Sequence, residues 1–275
     1  MSHAYLVLPW HRWTCVFFLS MVFLATRAEA QFLRPNVMPA EDYHVELGAM
    51  FWTPSPDVIV RADRFGLIGS EINLVTDFGI EDKTFTEFRA TLKPGRKHKI
   101  RFEYVPISYD ASTILRREIV FLGRTYALNI PASTALDWKL WRFGYEWDFV
   151  SRERGYVGLI GELKYNDVKA ELAAPGVLEV AQQRAPIPAL GITGRGYIGR
   201  FVSITGEFTG FKLPRSVSDR FVVELWDFDL YGTVNIGRHV GVQGGYRSID
   251  AEYLVDEDVG QLNLKGLYFG GVVRF

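Results

Sequence analysis

The sequence predicts an all-β protein: an antiparallel up-and-down barrel of about ten strands, oily outside and charged inside, built to cross a membrane. Three observations predict it. From Tyr43 to Phe275, short stretches alternate apolar and polar residues, and a period of two is the strand pattern. Within them one face collects aromatic, aliphatic or Gly residues while the other repeatedly carries full charges; a water-soluble barrel has its apolar face inside. The connections alternate between tight turns and longer segments, as they do in membrane barrels.

Composition agrees. Gly (26), Phe (20), Tyr (13) and Trp (7) are plentiful among the 275 residues, and aromatic residues suit the pleated surface. A formal net charge of −1 argues against general nucleic-acid binding. Near the start, His11 and Arg12 precede an apolar run, Trp13–Ala25, that leads to Ala28-Glu29-Ala30. That is the layout of a signal peptide cleaved after Ala30, and the run is shorter than the roughly 20 residues a spanning helix needs. Cys15 lies inside it with no lipidation box before it, so the chain from Gln31 onward holds no cysteine and relies on its fold alone. The expected organisation is a signal peptide over 1–30, a periplasmic lead-in over 31–42 and a barrel over 43–275. No later apolar run is long enough for a membrane helix, which leaves a closed barrel as the spanning solution.

The first strand is Tyr43–Thr53, with Val45, Leu47 and Phe51 on its oily face. Residues 54–83 are expected as a long connection whose apolar pieces, Val58–Val60 and Ile72–Val75, form a hairpin outside the main sheet. The second strand, Thr84–Leu92, sets Phe88 and Leu92 against Glu87 and Arg89, and Pro94-Gly95 makes its turn. The third sets Ile100, Phe102 and Tyr104 against Lys99, Arg101 and Glu103. Residues 107–134 are a second long connection with a small hairpin from Ile119 to Tyr126. The fourth strand, Asp137–Phe149, is the clearest: Trp141, Phe143, Tyr145, Trp147 and Phe149 oppose Arg142, Glu146 and Asp148.

A turn at Ser151–Gly155 opens the fifth strand, with Val157, Leu159, Leu163 and Tyr165 against Glu162 and Lys164. A proline-containing connection covers 173–186. Strand six, Ile187–Ile198, carries Arg195 and turns at Gly199-Arg200 into strand seven, Phe201–Phe211, which holds Glu207. Strand eight, Phe221–Ile236, places Trp226, Phe228 and Leu230 opposite Asp227 and Asp229. Gly237–His239 turns the chain into strand nine, which carries Arg247. An acidic loop over 250–260 precedes strand ten, where Leu267, Phe269, Gly271, Val273 and Phe275 share one face.

That last stretch, QLNLKGLYFGGVVRF, ends on an aromatic residue and resembles the closing strand of bacterial outer-membrane β-barrel proteins, broadly the OmpA/OmpW-like barrel superfamily. The resemblance implies export through the Sec pathway, an outer-membrane location, and contact with lipid and lipopolysaccharide. It also implies periplasmic chaperones and the barrel-assembly machinery as partners during biogenesis, with Leu267, Phe269, Val273 and Phe275 as the assembly signal. Outward aromatics, Trp147, Phe149 and Phe275 at one end and Trp226, Phe228 and Tyr165 at the other, suit the two interfacial girdles.

The candidate site is the lumen. Its charges are Glu87, Arg89, Lys99, Arg101, Glu103, Arg142, Glu146, Asp148, Glu162, Lys164, Arg195, Glu207, Asp227, Asp229 and Arg247. Acids and bases nearly balance, which predicts pairing across the lumen, with Asp229 opposite Arg247 and Arg142 facing Glu162. A barrel little wider than eight strands is just filled by side chains. The expected protein is therefore a plugged barrel with a structural or surface-interaction role, without cofactor or metal. The long connections offer its binding surfaces outside the cell, and a narrow passive pore is the alternative.

A hydrolase is the third reading. Omptin proteases, also ten-stranded, use acidic pairs and an Asp-x-His near the outer rim, and Trp226-Asp227-Phe228-Asp229 resembles half of that arrangement. The other half is missing: no Asp-x-His occurs, and His44, His98 and His239 fall near the periplasmic ends. Outer-membrane lipid-A deacylases need a lipid-facing His-Ser pair, for which the same histidines are badly placed. Asp250, Asp256, Glu257 and Asp258 are read as a solvated loop. The glycines of Gly191–Gly196 lie inside a strand, with no helix behind them to bind a phosphate.

Overall fold

The computed structural model describes residues 38–275 apart from 64–67, 214–220 and 256–257. The signal peptide expected over 1–30 lies outside the described residues, as do Asp256 and Glu257 of the acidic loop. The strands are β1 (Val45–Arg61), β2 (Ile72–Asn73), β3 (Phe85–Gly95), β4 (His98–Ile114), β5 (Ile119–Phe121), β6 (Arg124–Tyr126) and β7 (Pro131–Arg152). After them come β8 (Gly155–Ala174), β9 (Val177–Ile198), β10 (Val202–Leu213), β11 (Phe221–Ile236), β12 (Val240–Val255) and β13 (Asp258–Arg274). A five-residue helix, α1 (Leu74–Phe78), follows β2, with Asn73 capping it by accepting from the Val75 and Thr76 amides.

Ten of these strands form the wall. Antiparallel pairing runs β1-β3-β4-β7-β8-β9-β10-β11-β12-β13, and β13 returns to β1 with a register from Glu46↔Arg274 to Arg61↔Val259. Closure removes the free sheet edges that no spanning structure tolerates in lipid. At one end, tight turns at Arg96-Lys97, Glu153-Arg154, Gly199-Arg200-Phe201 and Gly237–His239 join the hairpins. Gly199 and Gly237 take φ of 76° and 75°, a left-handed conformation in which a side chain would be strained. The start of β1 meets Phe275 there too: the Phe275 carbonyl accepts from the His44 (2.7 Å) and Val45 (3.0 Å) amides, and the Phe275 amide donates to Val45 (2.8 Å).

Toward that turn end the faces divide as the alternation requires. Leu47, Phe88, Ile100, Phe143, Tyr145, Trp147, Leu159, Phe208, Leu230, Val242 and Phe269 are exposed on the outside, forming an apolar belt around the wall. Glu87, Lys99, Arg142, Glu146, Lys164, Asp227, Asp229 and Arg247 are buried within.

Toward the loop end the two faces exchange character. On β7, Asp137 and Lys139 point outward while Leu136, Trp138 and Leu140 are buried inside. On β8, Asp167, Lys169 and Glu171 share the outer face opposite Leu172 within. Leu225, Ile249, Leu262 and Leu264 continue the inner apolar layer on β11, β12 and β13. The barrel is thus inside-out within the belt and soluble-like beyond it, as a wall rising from lipid into water must be.

The strands are correspondingly longer than the sequence pattern suggests. β7 and β9 each have 22 residues, about twice the 9–11 that cross a bilayer. The expected connection over 173–186 is instead a tall hairpin: β8 runs to Ala174, only Pro175 and Gly176 turn, and β9 begins at Val177. Much of the two expected long connections is also wall, in β1 to Arg61 and in β4 to Ile114. The apolar pieces near 58 and 72 do pair, but within the main sheet (Ile59↔Asn73 and Val60↔Ile72), and residues 74–75 begin α1. The small hairpin over 119–126 forms as β5 and β6.

Candidate functional site

The lumen is filled in three layers. In the middle, Arg247, with a side chain 0% exposed, reaches Asp227 (3.0 Å), Glu87 (3.0 Å) and Glu103 (2.5 Å). Arg142 contacts Glu103 (3.0 Å), Glu162 (3.0 Å) and Asp227 (3.2 Å). Lys164 bridges Glu162 (3.2 Å) and Asp227 (3.1 Å). Arg89 holds Glu87 and Asp229, each at 3.0 Å, and Tyr268 donates to Asp229 at 2.7 Å. Because alternate residues of every strand point inward, charges from β3, β4, β7, β8, β11 and β12 converge on one level. Buried ions are tolerated only when so paired.

The register places Asp229 opposite Arg247, yet the side chains choose other partners, Arg89 and Asp227. Arg142 does reach Glu162, diagonally, since its direct neighbour is Lys164.

Nearer the turn end a second group follows. Arg101 joins Glu146 (3.1 Å) and Glu207 (2.6 Å), and Lys99 joins Glu146 (2.6 Å) and Asp148 (3.0 Å) while lying 3.4 Å from the centre of the Tyr156 ring. Arg195 donates to Thr205 (2.8 Å) and reaches up to Tyr231 (3.3 Å). The lead-in closes this level. A single 3-10 turn, Pro39–Glu41, brings Glu41 to Arg195 (2.8 Å), Tyr197 (2.8 Å) and Lys93 (3.1 Å). Burial alone would raise the Glu41 carboxyl, but the positive charges of Lys93 and Arg195 hold it well below the usual range. Arg274 adds a bond to Asn235 (2.7 Å) and an ion pair with Glu46.

The third layer is the apolar fill at the loop end. Trp52, Val58, Val105, Ile107, Tyr109, Trp138 and Leu264 pack inside the wall. The β5–β6 hairpin lies over one side of it, with Ile119, Phe121 and Tyr126 buried and the Tyr126 hydroxyl donating to the Leu172 carbonyl (3.2 Å).

Sequence reasoning missed this apolar layer and the Glu41 plug. Signals for both exist: Trp138 and Leu140 share a face with Arg142, and Glu41 is one of two adjacent acids, with Asp42, just ahead of the first strand. Leu267, Phe269, Val273 and Phe275 stand together on the outer surface of β13.

The acids of the omptin-like half-motif, Asp227 and Asp229, are bound by Arg89, Arg142, Lys164 and Arg247 in mid-lumen. His98 and His239 lie at the turn end, at the start of β4 and in the turn before β12, and His44 immediately precedes β1. Among the described residues no cluster of metal-ligating side chains is present.

The closed ring, the outer apolar belt and the filled interior define an integral membrane β-barrel of the outer-membrane type. The fold is similar to the outer-membrane protease OmpT from Escherichia coli, with a TM-score of 0.52 and 10% identity over 89% of this chain and 100% of that one. Lower scores are found for the Pseudomonas putida toluene transporter TodX (0.38, 7% identity, 84% and 90% covered). The translocator domain of the autotransporter NalP from Neisseria meningitidis follows (0.36, 8% identity, 95% and 97% covered). These likenesses do not single out the OmpA/OmpW-like group. No protein-family model matches the sequence, and no curated protein does.

Proposed function

We propose that the chain is an outer-membrane barrel with a sealed lumen, serving a structural or surface-interaction role. The observation that carries this reading is continuous filling along the axis: Glu41 on Lys93 and Arg195, then the Arg101–Glu146–Lys99 group, then Arg247 and Arg142 among four acids, then the apolar layer. The turn end, where the start of β1 meets Phe275, faces the periplasm in this reading, and the tall β7–β8–β9 wall stands outside the cell. Its outward charges, such as Asp137, Lys139, Lys169 and Glu171, present the surface a partner would meet.

Reconstitution into planar bilayers tests the seal. No steady unitary conductance is expected, and reproducible single-channel steps would replace this reading with the passive pore. Peptide or lipid-A hydrolysis by the purified protein, lost in Asp227→Asn and Asp229→Asn, would instead establish the hydrolase.

A further inference from the structure

Beyond the belt the ring parts at two seams. Above Phe88↔Tyr104, β3 and β4 no longer pair, and residues 72–85 fill the gap. There Ile72, Leu74, Phe78 and Ile80 are buried, Phe85 meets Tyr109 edge-on at 5.1 Å, and Ser55 donates to Asp82 at 2.9 Å.

The second seam lies above Gly210↔Leu190, the last pair between β9 and β10. From there β9 pairs only with β8, up to Val177↔Ala174. Pro186 and Pro188 stand in this half-paired stretch, where a missing N–H costs the sheet nothing. Behind this seam is a cavity of about 260 Å³. Ile187 and Gln183 of β9 and Val223 and Leu225 of β11 flank it, with Trp138 and Leu262 further in.

The chemistry of the cavity selects its occupant. Its polar floor is already satisfied, since Trp138 donates to Asn166 (2.9 Å) and Asn166 to the Lys164 carbonyl (3.1 Å). Two of its rim charges are engaged, Arg184 with Asp167 (3.1 Å) and Glu224 with Lys212 (2.7 Å) and the Trp226 indole (2.7 Å), and the third, Glu252, is exposed to solvent beside Glu224. Apart from the Gln183 amide at its flank and Glu252 at its rim, the lining is apolar or already paired, so an apolar body gains most by leaving water there.

We infer that this cavity is a binding site for an uncharged, apolar small molecule that enters from the side through the β9–β10 seam. A dry cavity of about 150 Å³ admits benzene, so this space suits a two-ring aromatic or a short alkyl chain of roughly ten heavy atoms. The site does not depend on whether the charged lumen below it conducts.

The test uses the full barrel in detergent, labelled with 5-fluorotryptophan and titrated with naphthalene. The Trp138 fluorine resonance is expected to shift and saturate, whereas Trp226, on the outer face, reports only drift from probe dissolved in the micelle. Ala185→Trp, or Ala251→Leu should the first variant misfold, fills the cavity and is expected to weaken the Trp138 response at least tenfold in affinity. A Trp138 shift that tracks Trp226 without saturating would overturn the proposal. So would an unchanged saturable shift in a filled variant that still shows the heat-modifiable mobility of a folded barrel.

Discussion

Arg247 and Asp227 form a forked ion pair inside the barrel, Nε to Oδ1 at 3.3 Å and Nη2 to Oδ2 at 3.0 Å, although they are not direct cross-strand partners. The same guanidinium serves Glu87 and Glu103. Removing it takes one cation from three acids and leaves them to Arg89, Arg142 and Lys164 in a place without bulk water. Arg247→Ala is expected to cost about 3–5 kcal/mol, the usual penalty for breaking a buried ion cluster from one side. Denaturant unfolding of the refolded barrel measures this. Arg238→Ala, in an exposed turn where the nearest acid is Asp42 at 3.9 Å, is the control and should stay within about 0.5 kcal/mol. Equal effects of the two changes would mean the lumen is wet enough to solvate the acids.

Glu41 gives the lead-in a pH dependence with a definite sign. Burial raises its carboxyl, Lys93 and Arg195 lower it further, and the result lies well below the ordinary 4.5. A depressed acid contributes stability above its unfolded value and loses it as pH falls through the folded one. The turn at 39–41 should therefore stay docked at neutral pH and release only well below pH 4.5. Glu41→Gln should release it at neutral pH, at a cost of roughly 3 kcal/mol. A nitroxide on Met38→Cys reads the change as a narrowing spectrum. Narrowing already at pH 6 in the unaltered plug would contradict the assignment.

How much of this was legible in the sequence depends on the solvent each stretch meets. Strand order, the four turns and the inward charges follow from alternation, because lipid outside enforces one phase over the belt. Where β7 leaves the belt, the phase persists but its meaning reverses: Trp138 and Leu140 point the same way as Arg142. Equating oil with the outside ends the strand there, so alternation predicts loops where the upper wall stands. The prolines carried the missing information. Pro54 and Pro56 lie just above Trp52↔Phe85, Pro106 just above Tyr104↔Phe88, and Pro188 just above Leu190↔Gly210. Each marks a strand losing one neighbour, not a strand ending. The side-chain partners of Asp229 and Arg247 were beyond reach, since register fixes which residues adjoin and not which way a long guanidinium swings.

Closure of the ring depends on an absent side chain. A Cβ on Gly270 would lie 2.2 Å from the Ala49 carbonyl oxygen and 2.7 Å from the Met50 Cα, backbone atoms of the strand that closes the barrel. Gly271, on the lipid side, has only the Gly241 carbonyl oxygen at 3.5 Å. Gly270→Ala is expected to destabilise by about 1–3 kcal/mol, as overpacking does when backbone must yield, and Gly271→Ala to leave stability nearly unchanged. Unfolding midpoints of the two refolded variants decide it. A neutral Gly270→Ala would show that the β1–β13 seam has room to breathe.

Phe275 separates folding from delivery. Its backbone is the clasp, bonded to His44 and Val45, while the residue as a whole is 68% exposed, on the outer face. The ring thus contributes little to the packed interior, and Phe275→Ala should change the stability of the refolded barrel by about 1 kcal/mol or less. If the ring is part of an assembly signal with Leu267, Phe269 and Val273, the same variant should nonetheless accumulate less heat-modifiable barrel in the outer-membrane fraction, and Phe275→Trp should restore it. Deleting the residue removes the clasp as well and should lower both readouts. Normal membrane yield from Phe275→Ala would leave the terminal aromatic with no more than an interfacial role.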